Sequence, residues 1–277
     1  MNMNKSFFDL TGKVIVITGA CGLLGRNHAL AVASANGIPV LLDLKKNKLD
    51  SLVKEINCKF SVHSIGLKVD ITSEKQVKDS CKKIISKFGR VDSLINNAAN
   101  NPKMENKNKK NFSRIENFNI KQWNNDISVG LTGAFLCAKY FGYEMSKNKS
   151  GGVIINISSD LGLVAPDQRL YQKVKTSKLK QPVKPVTYSV IKSGIIGLTR
   201  YLSTYWNQEN IRCNVLCPGP IENNQPEIFL KKLRLKIPLA RLAKENEYQS
   251  TLIWMLSDET SYLNGAIIPV DGGRSVW

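Results

Sequence analysis

Val14-Ile-Val-Ile-Thr18-Gly-Ala-Cys-Gly-Leu-Leu-Gly25 is the stretch on which the reading of this chain turns. Five β-branched residues in a row suit a strand buried on both faces, and glycines at 19, 22 and 25 follow at once. A helix is predicted next, to about Ala35. In that order, the turn lets backbone approach a diphosphate closely and the helix N-terminus faces the anion. Gly19, Gly22, Leu24 and Gly25 are therefore candidate nucleotide contacts. The plainer reading is a glycine-rich turn without a ligand; the sequence strand, turn, helix favours the nucleotide.

Outward from there, short apolar runs alternate with longer helical stretches, the pattern of βαβ units. Strands are predicted at 39–43, 67–70, 91–96, 152–158, 211–218 and 266–270, with helices at 48–56, from 72 through 87, 122–146, 188 to about 207, and 246–256. Right-handed crossovers make this an α/β chain with one doubly wound parallel sheet of about seven strands and helices on both faces. No repeat or linker interrupts it, so residues 1–277 are expected to form a single domain. Polar loops near 97–121 and 160–187 would sit at one mouth of the sheet.

Composition narrows the function classes. The formal charge is +18, yet the 40 Lys and Arg are dispersed among asparagines, as in Asn106-Lys-Asn-Lys-Lys-Asn111. That pattern predicts a solvated basic surface, not a nucleic-acid partner. No run of 18 apolar residues suggests a membrane span, and Met1–Ser6 lacks the apolar core of a secretory leader. The six cysteines have no metal-ligand spacing and only His28 and His63 accompany them, so no metal is expected. Reduced thiols in a cytoplasmic protein fit best.

Two further features carry chemistry. Asp43 closes the second strand 18 residues beyond Gly25, near the spacing of an acid that bonds the adenosine ribose hydroxyls. A carboxylate there repels a 2′-phosphate and favours NAD over NADP, although Lys45 and Lys46 soften the choice; the plainer reading is a strand-end turn. Tyr188-Ser-Val-Ile-Lys192 puts a phenol and an ammonium one helical turn apart on one face. A phenol titrates near 10, so serving as a base at pH 7 needs a shift of roughly 3 units, which a close lysine can help supply.

In this order the glycine turn, Asp43, Val69-Asp70, Asn96-Asn-Ala-Ala99, Ile157-Ser-Ser159, Tyr188 with Lys192, and Pro218-Gly-Pro-Ile221 make the chain resemble the short-chain dehydrogenases/reductases over nearly its whole length. Each piece alone has an ordinary structural role; the ordered set is what is specific. The resemblance implies that Asp70 and Ile71 meet the adenine and that Asn96, Asn97 and Ala98 lie along the cofactor. It implies that Pro218, Gly219 and Ile221 border the nicotinamide. Ser159 would bond the reacting oxygen, Tyr188 would exchange the proton, and Lys192 would lower the phenol's pKa and hold the ribose. It also implies a homo-oligomer, a dimer or tetramer, built on the long helix and the Tyr188 helix. The apolar Gly194-Ile-Ile-Gly-Leu198 face is compatible with a tetramer, though core packing is the simpler account.

There are departures. The middle glycine of the family turn falls at Leu23. Gly130 stands where the family usually has asparagine, whose carbonyl holds a water against the active lysine, and Asn223 replaces a common threonine. Ser159 and Tyr188 are 29 residues apart, longer than the family norm. The inserted Asp167–Lys180 segment must leave and re-enter at the substrate mouth, where Gln168, Arg169 and Tyr171 are candidate substrate contacts; a solvated flap is the equal alternative. Its Ala165–Tyr171 and Pro185–Tyr188 pieces resemble a bacterial branch tied to flagellin modification and surface-glycan sugars, hence carbohydrate biosynthesis.

The expectation is an NAD-dependent oxidoreductase interconverting a secondary alcohol and a ketone on a small, polar, sugar-like substrate, with or without a phosphate. The alternatives are an NADPH-dependent ketoreductase of lipid or small carbonyls, and a non-catalytic nucleotide-binding regulator, which Gly130 favours.

Overall fold

The computed structural model describes residues 8–100, 113–173 and 176–277. Seven strands form one parallel sheet in the order β3-β2-β1-β4-β5-β6-β7. These are β1 (Val14–Thr18), β2 (Ile38–Asp43), β3 (Ile65–Lys68), β4 (Ser93–Asn96), β5 (Gly152–Ile157), β6 (Ile211–Pro218) and β7 (Ile267–Val270). The crossovers carry α1 (Leu23–Ser34), α2 (Lys46–Lys59), α3 (Glu74–Phe88), α4 (120–145), α5 (Val186–Tyr205), α6 (Glu227–Arg234) and α7 (Gln249–Leu256). This is the doubly wound Rossmann arrangement expected from the alternation of apolar runs.

β1 shows why the β-branched run matters. Ile15 and Ile17 enter a core beneath α1 and α7, with Ala29, Val32 and Leu252. Val14 and Val16 enter a second core under α3, α4 and α5, with Val77, Ile84, Phe141 and Leu202. Both faces are therefore dry, and chain order reverses between β1 and β4, leaving a crevice at the C-terminal strand ends.

Some boundaries moved. β3 ends at Lys68, because it pairs with β2 from Val40↔Ile65 to Asp43↔Lys68 and β2 stops at Asp43. Val69 and Asp70 thus turn out of the strand. α6 was not anticipated, although Glu227 in its first turn, Lys231, Lys232 and Arg234 in its last, and buried Leu230 and Leu233 at i,i+3 spacing are helix signals. α4 contains two π-helical turns, Ser128–Thr132 and Ala138–Gly142. Ile195 and Ile196 of the Gly194–Leu198 face are buried in the chain's own core. All six cysteines are free thiols, and no described helix is long and apolar enough to cross a membrane.

Candidate active site

The crevice is a cleft of about 690 Å³. At one end the glycine turn forms a backbone cradle. Gly19 has φ +63°, and a Cβ there would lie 2.8 Å from the Ala98 Cα. A Cβ on Gly25 would lie 2.1 Å from the Gly19 carbonyl oxygen, so no other residue fits. Asn97 braces the turn: its side-chain amide donates to the Thr18 and Gly19 carbonyls at 2.9 and 3.2 Å. Thr18 Oγ1 in turn accepts from the Asn97 and Ala98 amides. Asn96 is buried beneath the cleft, donating to Asn156 Oδ1 at 2.9 Å.

Gly19, Gly22, Leu24, Gly25, Asp43, Asp70, Ile71, Asn97, Ala98, Pro218, Gly219 and Ile221 all border this cleft. Asp43 accepts from the Cys21 amide at 2.9 Å and the Lys45 amide at 3.1 Å. A carboxylate has about four acceptor positions, so two remain for ribose hydroxyls. The shape, the glycine cradle and the acid at the β2 end fit an adenine dinucleotide. Lys45 also lines the cleft.

At the other end stand Ser159, Tyr188 and Lys192. Ser159 leaves β5 extended and Lys192 lies one turn beyond Tyr188 on α5, so the sheet edge and the helix face bring them together. Ser159 is hydrogen-bonded to the Tyr188 phenol, which weakly favours the phenolate, but burial dominates and holds the Tyr188 pKa above its ordinary value. Lys192 Nζ is 5.8 Å from the ring centroid and donates to the Ile157 carbonyl at 2.8 Å. Burial pushes its own pKa down to about 8. Besides burial, the groups that act on the Tyr188 phenol are Ser159, Asp160 and Arg274. The Lys192 ammonium is bonded instead to the Ile157 carbonyl.

Gly130 lies in the first π-turn of α4, and a Cβ there would come within 2.6 Å of Ile191 Cγ2. No side chain, asparagine included, fits without moving the residue next to Lys192.

The inserted segment is pinned down from Asp167 to Tyr171. Leu170 is buried with Leu230 and Leu233 of α6, and Tyr171 packs on Phe229 with ring centroids 5.5 Å apart. Tyr171 borders the cleft as expected, and burial raises its pKa to about 12. Gln168 does not border it: its Oε1 accepts from the Lys184 amide and it lines a neighbouring hollow. Arg169 does not either, since its guanidinium is forked onto Asp167 at 2.8 Å with 75% of the side chain exposed. A near-neighbour carboxylate outcompeted the cleft. Residues 174–175, and 101–112 of the other predicted loop, lie outside the described residues.

Three cleft residues were missed by sequence reasoning. Asp160 Oδ1 accepts from Ser159 Oγ at 2.7 Å and from the Leu161 amide at 2.8 Å. Arg274 follows the Asp271-Gly-Gly273 turn and pairs with Asp160 in a buried salt bridge, with side-chain exposures of 9% and 4%. Lys184, four residues before the tyrosine, rests its ammonium 3.7 Å over the Tyr188 ring. Lys184 precedes the Pro185 cap and so lies outside the helical register of Tyr188, and Arg274 arrives from the far end of the chain; neither left a local signal.

The family model for short chain dehydrogenases matches residues 13–227, most of the chain. The chain belongs to this short-chain dehydrogenase family. Among its relatives, a 3-oxoacyl-[acyl-carrier-protein] reductase from Thermotoga maritima is 31% identical across 95% of this chain and 98% of its own. Post-translational flagellin modification protein A from Campylobacter coli is 29% identical across 95% and 98%. The crystal structure of a putative short-chain alcohol dehydrogenase from Sinorhizobium meliloti superposes with a TM-score of 0.84 at 26% identity, covering 98% and 99% of the two chains. As a short-chain dehydrogenase, the protein is an oxidoreductase of the alcohol/ketone type with a nicotinamide cofactor.

Proposed function

We propose that this short-chain dehydrogenase, working as one domain in the cytoplasm, uses NAD(H) to interconvert a secondary alcohol and a ketone on a small sugar-like substrate. The nicotinamide supplies the hydride chemistry. Tyr188 moves the proton of the substrate hydroxyl, and Ser159 would turn its hydroxyl from Asp160 to the same oxygen. Lys192, now on the Ile157 carbonyl, is the residue that would hold the cofactor's ribose, where its charge would favour the phenolate.

The single observation that supports this reading most is the junction of Ser159, Tyr188 and Lys192 at the open end of a glycine-cradled cleft. Asp43 beside the turn supports NAD. A 28%-identical NADP-dependent mannitol dehydrogenase from Alternaria alternata supports a polyhydroxylated substrate, and with it a carbohydrate pathway. By family habit we infer a homo-oligomer, for which exposed Phe135, Tyr143, Tyr201 and Tyr205 on α4 and α5 offer surface.

The test is NADH formation across sugars, polyols and sugar acids with wild type and Tyr188→Phe. The variant should lose at least about a hundredfold in kcat, the usual scale of general acid–base catalysis, while binding NADH as before. Full turnover by the variant would remove Tyr188 from the mechanism. A second reading, an NADPH-dependent ketoreductase, rests on Lys45 in the cleft and on the acyl-carrier-protein reductase relative. Calorimetry with NAD and NADP separates the two, and turnover by neither cofactor would favour a non-catalytic binding protein.

A further inference from the structure

The substrate end of the cleft has an unbalanced charge. Lys184, Lys192 and Arg274 border it, against one acid, Asp160. Asp43 and Asp70, the other acids of the lining, stand at the ends of β2 and β3, on the adenosine side. Asp160 is mostly committed: one oxygen pairs with Arg274, and the other takes the Ser159 hydroxyl and the Leu161 amide. Lys192 is committed to Ile157.

Lys184 is left over. Among the described residues its ammonium has no carboxylate within salt-bridge distance and no hydrogen-bond acceptor; it only lies on the Tyr188 ring. Burial has pushed its pKa down to about 8, a penalty that the nearby Asp160 charge offsets only in part. Arg274 is close enough for the two charges to repel, and close enough to act on Tyr188. Neither belongs to the dinucleotide half of the fold: Lys184 lies just before α5, after the inserted segment, and Arg274 in the C-terminal turn. The apolar wall opposite, Tyr171, Phe229 and Leu233, offers no anion.

We propose that the substrate carries an anionic group, a carboxylate or a phosphate, held between Lys184 and Arg274 within a few carbon atoms of the reacting hydroxyl. This rests on the oxidoreductase reading above, because Tyr188 marks where the hydroxyl sits. Lys184 is the discriminating contact: it is the one cation of the group without a protein partner. Arg274 adds positive potential while keeping its bond to Asp160. Arg169, the cation that sequence reasoning favoured, takes no part.

The experiment compares three ligands on one three-carbon frame: glycerol, glycerate and glycerol 3-phosphate. Each is titrated into the NADH-loaded protein by calorimetry at constant ionic strength. At least one anion should bind about tenfold or more tightly than glycerol, the scale of one charge-assisted contact, and the stronger of the two identifies carboxylate or phosphate. Lys184→Met should erase that preference and leave the NADH Kd within about twofold, whereas Lys184→Arg should keep the preference. No preference in the wild type, or one that survives in Lys184→Met, overturns the anion site. Loss of NADH binding by the wild type would instead count against the cofactor reading, so the two failures are distinct.

Discussion

Replacing Gly130 by alanine tests whether the departure from the family's asparagine is a packing requirement. An ideal Cβ on Gly130 lies 2.6 Å from Ile191 Cγ2 and 3.0 Å from its Cδ1. Ile191 is 5% exposed on α5, and a β-branched side chain on a helix has one strongly preferred rotamer. The methyl therefore cannot be met by swinging a flexible tip aside. Overpacking of this kind costs about 1–3 kcal/mol, whereas glycine to alanine in a helix interior gains about 1 kcal/mol. The net expected is a loss of up to about 2 kcal/mol, or a fall in Tm of a few degrees.

Because those contributions oppose one another, the decisive quantity is the coupling. In an Ile191→Ala background the clash is gone, so Gly130→Ala should stabilise by about 1 kcal/mol or more. A denaturant-unfolding cycle over the four proteins should give a coupling of about 1–3 kcal/mol. A Gly130→Ala that stabilises the wild type by the full 1 kcal/mol, with no coupling to Ile191, would refute the packing argument. Ile191 also precedes Lys192 directly, so restoring the asparagine should lower kcat, not raise it. A faster Gly130→Asn enzyme would show that only the water-holding role was missing.

Breaking the buried Asp160–Arg274 pair by Arg274→Met should cost about 3–5 kcal/mol in thermal or denaturant unfolding, since it strands a carboxylate with 4% side-chain exposure; a loss below about 1 kcal/mol would mean the pair is solvent-relaxed. Lys192 titrates near 8 in the fold and at 10.5 in the unfolded chain, with Lys184, Cys217 and the Tyr188 ring facing it. A lysine whose pKa is depressed by folding destabilises the fold while charged: the penalty is complete below about pH 8 and fades as pH rises towards 10.5. Unfolding of wild type and Lys192→Met should accordingly converge in the wild type's favour by on the order of 3 kcal/mol between pH 7 and 10.5, and a pH-independent difference would contradict it. Asp43→Ala should weaken NAD binding and bring NADP affinity up towards it, read by calorimetry; unchanged NADP affinity would show that Lys45, not Asp43, governs the choice.

What the sequence alone determined is the part governed by local pattern and order. The β-branched run, the glycines at 19, 22 and 25, and the alternation of short and long apolar segments specify strands buried on both faces and their crossovers, so the sheet could be read before it was seen. The helical register of Tyr188 and Lys192 follows from spacing too. Strand ends did not: β3 stops where its partner β2 runs out, a fact of pairing that its own residues do not encode. The charges around the substrate are likewise a tertiary matter. Arg169 lay in the most suggestive segment yet found Asp167 two residues away, while Arg274, 114 residues beyond Asp160, came to sit against it. Lys184 is a candidate only because the nearest acid, Asp160, is drawn into bonds with Arg274 and Ser159. Whether a charged side chain is free to meet a substrate depends on which counter-charge the fold brings nearest, and that distance exists only in three dimensions.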